Sequence, residues 1–283
     1  MKTAEHSVQD AKQVFRDCGT CSQTFGHLMN REFGHPMEVE ERALDPLAGG
    51  ILNEGHQCGM LWGAILAVGA EAYRRYDDED QAIAAAVTAS QHIIESFTEK
   101  TNTVNCKEII NTDLSHVLGL VQFGLKTMIK GMNNSQCFDL ADQWAPEAIQ
   151  TATEGLESNG IELKHRPQSC ATEVVMRMGG TKEESTMVAG FAGGLGLSGN
   201  ACGALSAAIW FKTLKWCREN PGKAPSLFRN KLAKKIIKEF KKETNGELNC
   251  EAVSKRQFKN MDKHSDFIKC GGCKKVINRL SEM

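Results

Sequence analysis

Ala48-Gly49-Gly50-Ile51-Leu52-Asn53-Glu54-Gly55-His56-Gln57-Cys58-Gly59-Met60-Leu61-Trp62-Gly63-Ala64 is answered 144 residues later by Ala192-Gly193-Gly194-Leu195-Gly196-Leu197-Ser198-Gly199-Asn200-Ala201-Cys202-Gly203-Ala204-Leu205-Ser206-Ala207-Ala208. Without gaps the two stretches share Ala-Gly-Gly, a further Gly, Cys-Gly, a Leu and an Ala, and both run on into isoleucine, Ile65 and Ile209. In each, a glycine-rich approach leads to a cysteine and then to an apolar helical run.

The repetition extends outward. Ile93-Ile94-Glu95-Ser96-Phe97 matches Ile236-Ile237-Lys238-Glu239-Phe240, and Asn105-Cys106 matches Asn249-Cys250. Upstream, Cys21 and Cys170 each open a helical segment. Downstream, Cys137 opens the last helical segment of the first half, and Cys270 or Cys273 that of the second. A period this long means two copies of one domain, not a solenoid. The expected domains are 1–160 and 161–283, with the boundary in the polar stretch from Ser158 to Pro167.

Apolar residues recur at helical spacing almost throughout, and strand-like alternation is absent. Helices are predicted over Val8–Arg16, Cys21–Arg31, Gln81–Glu99, His116–Lys130 and Phe138–Leu156, the last breaking or restarting at Pro146. In the second half they are predicted over Ala171–Met178, Glu183–Ala192, Ala204–Trp216, Ser226–Lys242 and Phe267–Leu280. The fold expected is all-α: two tandem helical-bundle repeats packed pseudo-symmetrically.

With 41% hydrophobic and 24% charged residues, the chain has the balance of a globular protein. No apolar run approaches the roughly 20 residues of a membrane span. No signal-like stretch stands at the start, so a cytoplasmic location is expected. Residues 1–160 carry 11 Lys and Arg against 23 Asp and Glu, net −12, and the remainder 23 against 12, net +11. Two halves that attract each other explain this better than a nucleic-acid face, because the lysines are interleaved with acids and few aromatics. The Lys231–Lys242 segment reads as a solvated face, or as a dock for an acidic redox partner protein. Homo-oligomerisation is left open.

Eleven cysteines in a reducing compartment point to metal, cluster or redox chemistry rather than structural disulfides. Cys58, Cys106, Cys202 and Cys250 are expected in the first turn of helices, Cys202 behind Asn200 as N-cap, where unpaired N–H groups favour the thiolate. A lone cysteine on a helix is usually a small buried apolar residue, and Cys217 and Cys18 read that way. Cys18-Gly19-Thr20-Cys21 and Cys270-Gly271-Gly272-Cys273 have no following histidine for haem attachment and no strand–helix context of a thioredoxin site. His56 is a further ligand candidate, although Asn200 holds the equivalent place. His92 and His116 read as ordinary helix residues. No Walker loop, dinucleotide fingerprint or metal-spaced His/Glu set is present.

The ordered set Cys, Cys-Gly-Ala-x-x-Gly, Cys, Cys resembles the C-GCAxxG-C-C family of redox-active proteins, a related domain of which occurs in split-Soret cytochromes c. The first copy has Met60 in place of the motif's alanine, and the second has Ala207 in place of its last glycine. The resemblance implies a redox role with an iron–sulfur cluster. It carries over as cofactor ligands Cys21, Cys58, Cys106 and Cys137, then Cys170, Cys202, Cys250 and Cys273. Cys270 competes for the last place, and Cys18 and His56 are candidates outside the set. Three readings remain: an electron-transfer protein with iron–sulfur clusters, a metal-free thiol–disulfide oxidoreductase or persulfide carrier, and a zinc-stabilised interaction module.

Overall fold

Polar residues before the helical runs act as caps and fix where helices begin. Thr20 accepts from the Gln23 N–H, Asp78 from Gln81, Ser169 from Ala171 and Thr172, Asn230 from Ala233 and Asn260 from Lys263. Thr181 and Glu184 close a reciprocal capping box. In this computed structural model, residues 11–130, 135–157, 166–225 and 230–283 are described, the side chains of 126, 127, 129 and 130 excepted. The boundary expected at 160/161 lies outside them.

The helices of the first half are α1 (Ala11–Cys18), α2 (Cys21–Glu32), α3 (Glu38–Arg42), α4 (Gly59–Arg75), α5 (Glu79–Thr101), α6 (Cys106–Ile109), α7 (Val117–Lys130) and α8 (Gln136–Glu157). Those of the second are α9 (Cys170–Arg177), α10 (Lys182–Met187), α11 (Gly203–Glu219), α12 (Lys231–Glu243), α13 (Cys250–Ser254), α14 (Met261–Lys269) and α15 (Lys274–Ser281). Single 3-10 turns at Asp45–Leu47 and Ala189–Phe191 stand 144 residues apart. Among the described residues there is no strand, only the isolated bridges Gln57–Asn105 and Ala201–Asn249. The fold is all-α and doubled.

Each half is built on its apolar central helix. Helix α4 packs against α2 and α5, and α5 against α8; α11 packs against α9 and α12. Gly63 lets α4 approach α2 closely, since a Cβ there would run into the Ser22 carbonyl. Trp144 of α8 fills the first core, stacked 4.9 Å from Phe25 and edge-on 4.6 Å from Phe97.

The halves exchange contacts reciprocally, as around a two-fold axis. Helix α10 and the 189–191 turn pack on α4, while α3 and the 45–47 turn pack on α11. Trp62 meets Phe191 edge-on at 4.9 Å, and the Trp210 indole donates to the Glu40 carbonyl. The charge asymmetry is used here: Asp80–Arg166, Glu79–Lys182, Glu40–Arg218 and Glu54–Lys241 each pair a first-half acid with a second-half base.

Several expectations are corrected. Helix α8 runs unbroken through Pro146. The lost backbone bond costs ~3 kcal/mol, but the ring faces solvent while Trp144, Ala145, Ala148 and Ile149 are buried on either side. The helix expected over Glu183–Ala192 stops at Met187 and tightens into the 3-10 turn, where Gly190 lies against Ser90 and Ile65 of the other half. The one expected over Phe267–Leu280 is two helices, broken where Gly271 takes φ +87° and the Gly272 N–H closes on the Phe267 carbonyl at 2.8 Å.

Candidate functional site

The glycine-rich approach forms an unusual backbone. Gly49, Gly50, Ile51, Leu52 and Asn53 all lie in the left-handed region, φ +51° to +74°, and so do Gly193 to Leu197, φ +54° to +83°. A left-handed turn costs roughly 1–2 kcal/mol per non-glycine residue, and Ile51, Leu52, Asn53, Leu195 and Leu197 all incur it. Such strain persists where the surrounding structure over-determines it, and it concentrates at functional sites. The turn delivers an N–H to a sulfur in each half: Gly49 to Cys21, and Gly193 to Cys170.

The isolated bridges then join the second and third cysteines. The Cys58 N–H donates to the Val104 carbonyl at 2.8 Å and the Cys106 N–H to the His56 carbonyl at 2.6 Å. In the second half Cys202 donates to Leu248 at 2.8 Å and Cys250 to Asn200 at 2.6 Å. Cys58 and Cys202 are the N-cap residues of α4 and α11, one position earlier than the expected first turn; Cys106 and Cys250 open α6 and α13. Asn200 caps nothing, and its amide donates to Ser198. A Cβ on Gly59 would stand 2.5 Å from the Cys21 sulfur, so that glycine is what lets α4 begin against the thiol.

In the first half, the Cys58 thiol donates to the Cys21 sulfur. That bond, with N–H groups from Gly49, Cys21 and Gly59, brings the Cys21 pKa below its usual value despite burial. Cys58, holding the shared proton, is pushed well up by Cys21 and then by burial, with Cys106 and Cys137 adding to it. Burial, then Cys21, raises Cys106, and the same two influences bring Cys137 to about 12.

In the second half burial dominates everywhere. It raises Cys170 over the opposing N–H groups of Gly193, Ala171 and Ala204. It raises Cys202, with Cys250, Cys170 and Cys273 adding, and Cys250, with Cys170 and Cys273 adding. Cys273 is pushed to about 12 by burial, then Cys170. Within each half, therefore, the four cysteines are one another's electrostatic neighbours, but the thiolate preference expected of Cys58, Cys106, Cys202 and Cys250 is absent at all four, and the one lowered thiol is Cys21, through Cys58. Desolvation outweighs a few N–H dipoles elsewhere.

Cys273, not Cys270, stands with the second set; Cys270 is exposed. Cys18 is pushed to about 12 by burial and then Glu41 and Asp45, and Cys217 to about 11 by burial, so neither belongs to a thiol group. The charges around His56 are those of Glu54, Lys107 and Lys241, and burial lowers its pKa.

Sequence reading missed three buried polar groups beside these sites. Asp45 accepts from Thr20, the cap of the Cys21 helix, at 2.7 Å, and burial lifts its pKa to about 7. His264 lies edge-on to Phe258 at 4.9 Å, buried and neutral, its pKa lowered to about 4 and its Nδ1 unpartnered. Gln57, adjacent to Cys58, donates to the Gly194 carbonyl at 3.0 Å and accepts from the Ala201 N–H at 3.2 Å, one residue before Cys202. The one available signal was the repeat itself: each group stands where the other copy has an apolar residue, Ala189, Leu120 and Ala201.

Among the described residues no three His, Cys, Asp or Glu side chains close on one ion. The four thiols of each half are one another's electrostatic neighbours, and thiolate sulfur is the donor type that both zinc and iron–sulfur clusters take. The family model for "Putative redox-active protein (C_GCAxxG_C_C)" matches residues 19–150 and again 168–283. The chain belongs to this family. Membership supports a redox function, and the double match is the duplication seen in the fold. No curated protein and no solved structure matches the chain. No helix among the described residues is long and apolar enough to cross a membrane.

Proposed function

We propose that this family member is an electron-transfer protein in which Cys21, Cys58, Cys106 and Cys137, and again Cys170, Cys202, Cys250 and Cys273, each hold an iron–sulfur cluster. The observation that carries the reading is the twofold gathering of four thiols around a strained loop whose N–H groups point at sulfur. A bound cluster supplies one-electron transfer at a potential tuned by such N–H groups and by burial. The chain's own part is to aim Gly49 and Gly193 at the first cysteine of each set and to surround the sulfurs with apolar residues. Gln57 joins the two sites back to back through Ala201. A cleft of about 860 Å³ beside Cys273, lined by Lys255, Lys274 and Lys275 and also by Glu243 and Glu247, gives a redox partner protein its approach. Eleven unpaired cysteines suit a reducing cytoplasm. Anaerobic purification should give a brown protein with iron and acid-labile sulfide in both halves; a colourless protein lacking both refutes the reading.

A second reading has its own observation, the proton shared by Cys21 and Cys58. A depressed thiolate beside a neutral thiol is the arrangement for thiol–disulfide exchange with a partner disulfide. Cys21 would attack one partner sulfur and expel the other as thiolate. Cys58, giving up its proton, would then displace the second partner thiolate to leave a Cys21–Cys58 disulfide. Thiol counting before and after mild reduction of metal-free protein should show two thiols lost reversibly if this operates, and no change if it does not.

A further inference from the structure

A cleft of about 420 Å³ opens on the seam between the halves, the size of a small-molecule site. Leu52, Leu114 and Leu120 of the first half and Ile237 of α12 give it an apolar floor. Lys234, Lys238 and Lys241 follow one another at four and three residues, so one face of α12 lines it with ammonium groups. Glu54 is the one carboxylate among the lining residues, and it is paired with Lys241 at 2.7 Å. Ser115 also lines the cleft, but its hydroxyl is given to Asp113 at 2.6 Å. Among the described residues Lys234 and Lys238 have no ion-pair partner.

Asn53 carries a second, independent signal. It lines the cleft at 9% exposure, and its side-chain amide makes no hydrogen bond among the described residues. Buried polar groups are normally paired, and an amide offers both a donor and an acceptor, so this one is left for a ligand to complete. The other copy treats the matching place differently. In the register that pairs Ile93-Ile94 with Ile236-Ile237, Gln91, Glu95 and Thr98 stand where α12 has its three lysines. Leu197 stands for Asn53, and a Cβ on the neighbouring Gly196 would lie 2.6 Å from Ile94 Cδ1. The repeated fold therefore requires neither the lysines nor the amide.

We propose that this cleft binds an amphipathic organic anion, a small molecule whose phosphate or carboxylate head pairs with Lys234 and Lys238 and bonds the Asn53 amide while its apolar body lies on the leucine floor. A bare ion would leave that floor in water, and a neutral apolar molecule would leave both lysines and the amide unanswered.

Calorimetric titration of the full chain with naphthyl phosphate should show one saturable site that weakens as salt is added. Naphthoate should displace it, and whichever of the two binds more tightly names the head group. Inorganic phosphate and naphthol should each displace it at least about tenfold less well. Lys238→Glu should weaken binding about tenfold, and so should Asn53→Asp, which keeps a residue tolerant of the left-handed backbone. Lys235→Glu, the same charge change on the same helix but outside the lining, should leave binding as it is. Absence of a saturable site, equal binding of naphthol or inorganic phosphate, or indifference to both cleft variants overturns the proposal.

Discussion

The first and second halves hold four cysteines on the same frame, yet they bury different ionisable groups beside them. Thr20 hands its hydroxyl to the Asp45 carboxyl, whereas Ser169, in the same place before Cys170, donates to the Ala189 backbone carbonyl at 3.3 Å. Conversely, the second half buries His264 where the first has Leu120. Cys21 is drawn toward the thiolate through its bond from Cys58, while Cys170, with as many N–H groups aimed at it, stays above its usual pKa. A duplicated backbone thus does not duplicate chemistry: one added thiol donor outweighs several backbone dipoles, and one buried acid or base changes how a half responds to pH.

Asp45 should have the largest effect. Its folded pKa of about 7 lies above the ordinary 3.8, so the stability it contributes is full below pH 4 and lost as pH rises through 7, by about 4 kcal/mol. Asp45→Asn, which keeps an acceptor for Thr20, should abolish that alkaline loss in denaturant titrations at pH 5 and pH 8; equal losses in variant and wild type would erase the distinction.

His264 works with the opposite sign. Its folded pKa of about 4 lies below the ordinary 6.5, so stability is intact above pH 6.5 and falls as pH drops through 4, by about 3 kcal/mol. His264→Leu, the first half's own solution, should flatten the acid limb in thermal melts. If the limb persists, the imidazole is not what sets it.

A smaller contrast concerns reactivity. In metal-free protein at neutral pH, iodoacetamide should label Cys21 at least about tenfold faster than Cys170, read by peptide mass mapping, because the thiolate is the nucleophile. Equal rates would mean that the shared proton of the first half has no chemical consequence. Smallest of all, Glu40→Gln, which removes a half-exposed pair with Arg218, should cost no more than about 1 kcal/mol, and less in high salt.

Much of this was legible in the chain. The 144-residue period fixed the doubling and apolar spacing the helices. The charge asymmetry became ion pairs between the halves. What could not be read there depends on three-dimensional surroundings. Pro146 sits inside a helix because burial on both sides outweighs a lost hydrogen bond. Cys273 rather than Cys270 joins its set because Gly271 breaks the helix between them. Five successive left-handed residues are hardly suggested by Ile51-Leu52-Asn53, which would be ordinary in isolation.

What sequence alone determined is therefore the number and order of the cysteines in each repeat, since periodicity and repetition are properties of the chain. The tertiary structure decided protonation and access. A thiol's pKa, a buried carboxylate's neutrality and a helix's open face depend on which desolvating atoms and donors arrive from residues far away, and no local stretch encodes those.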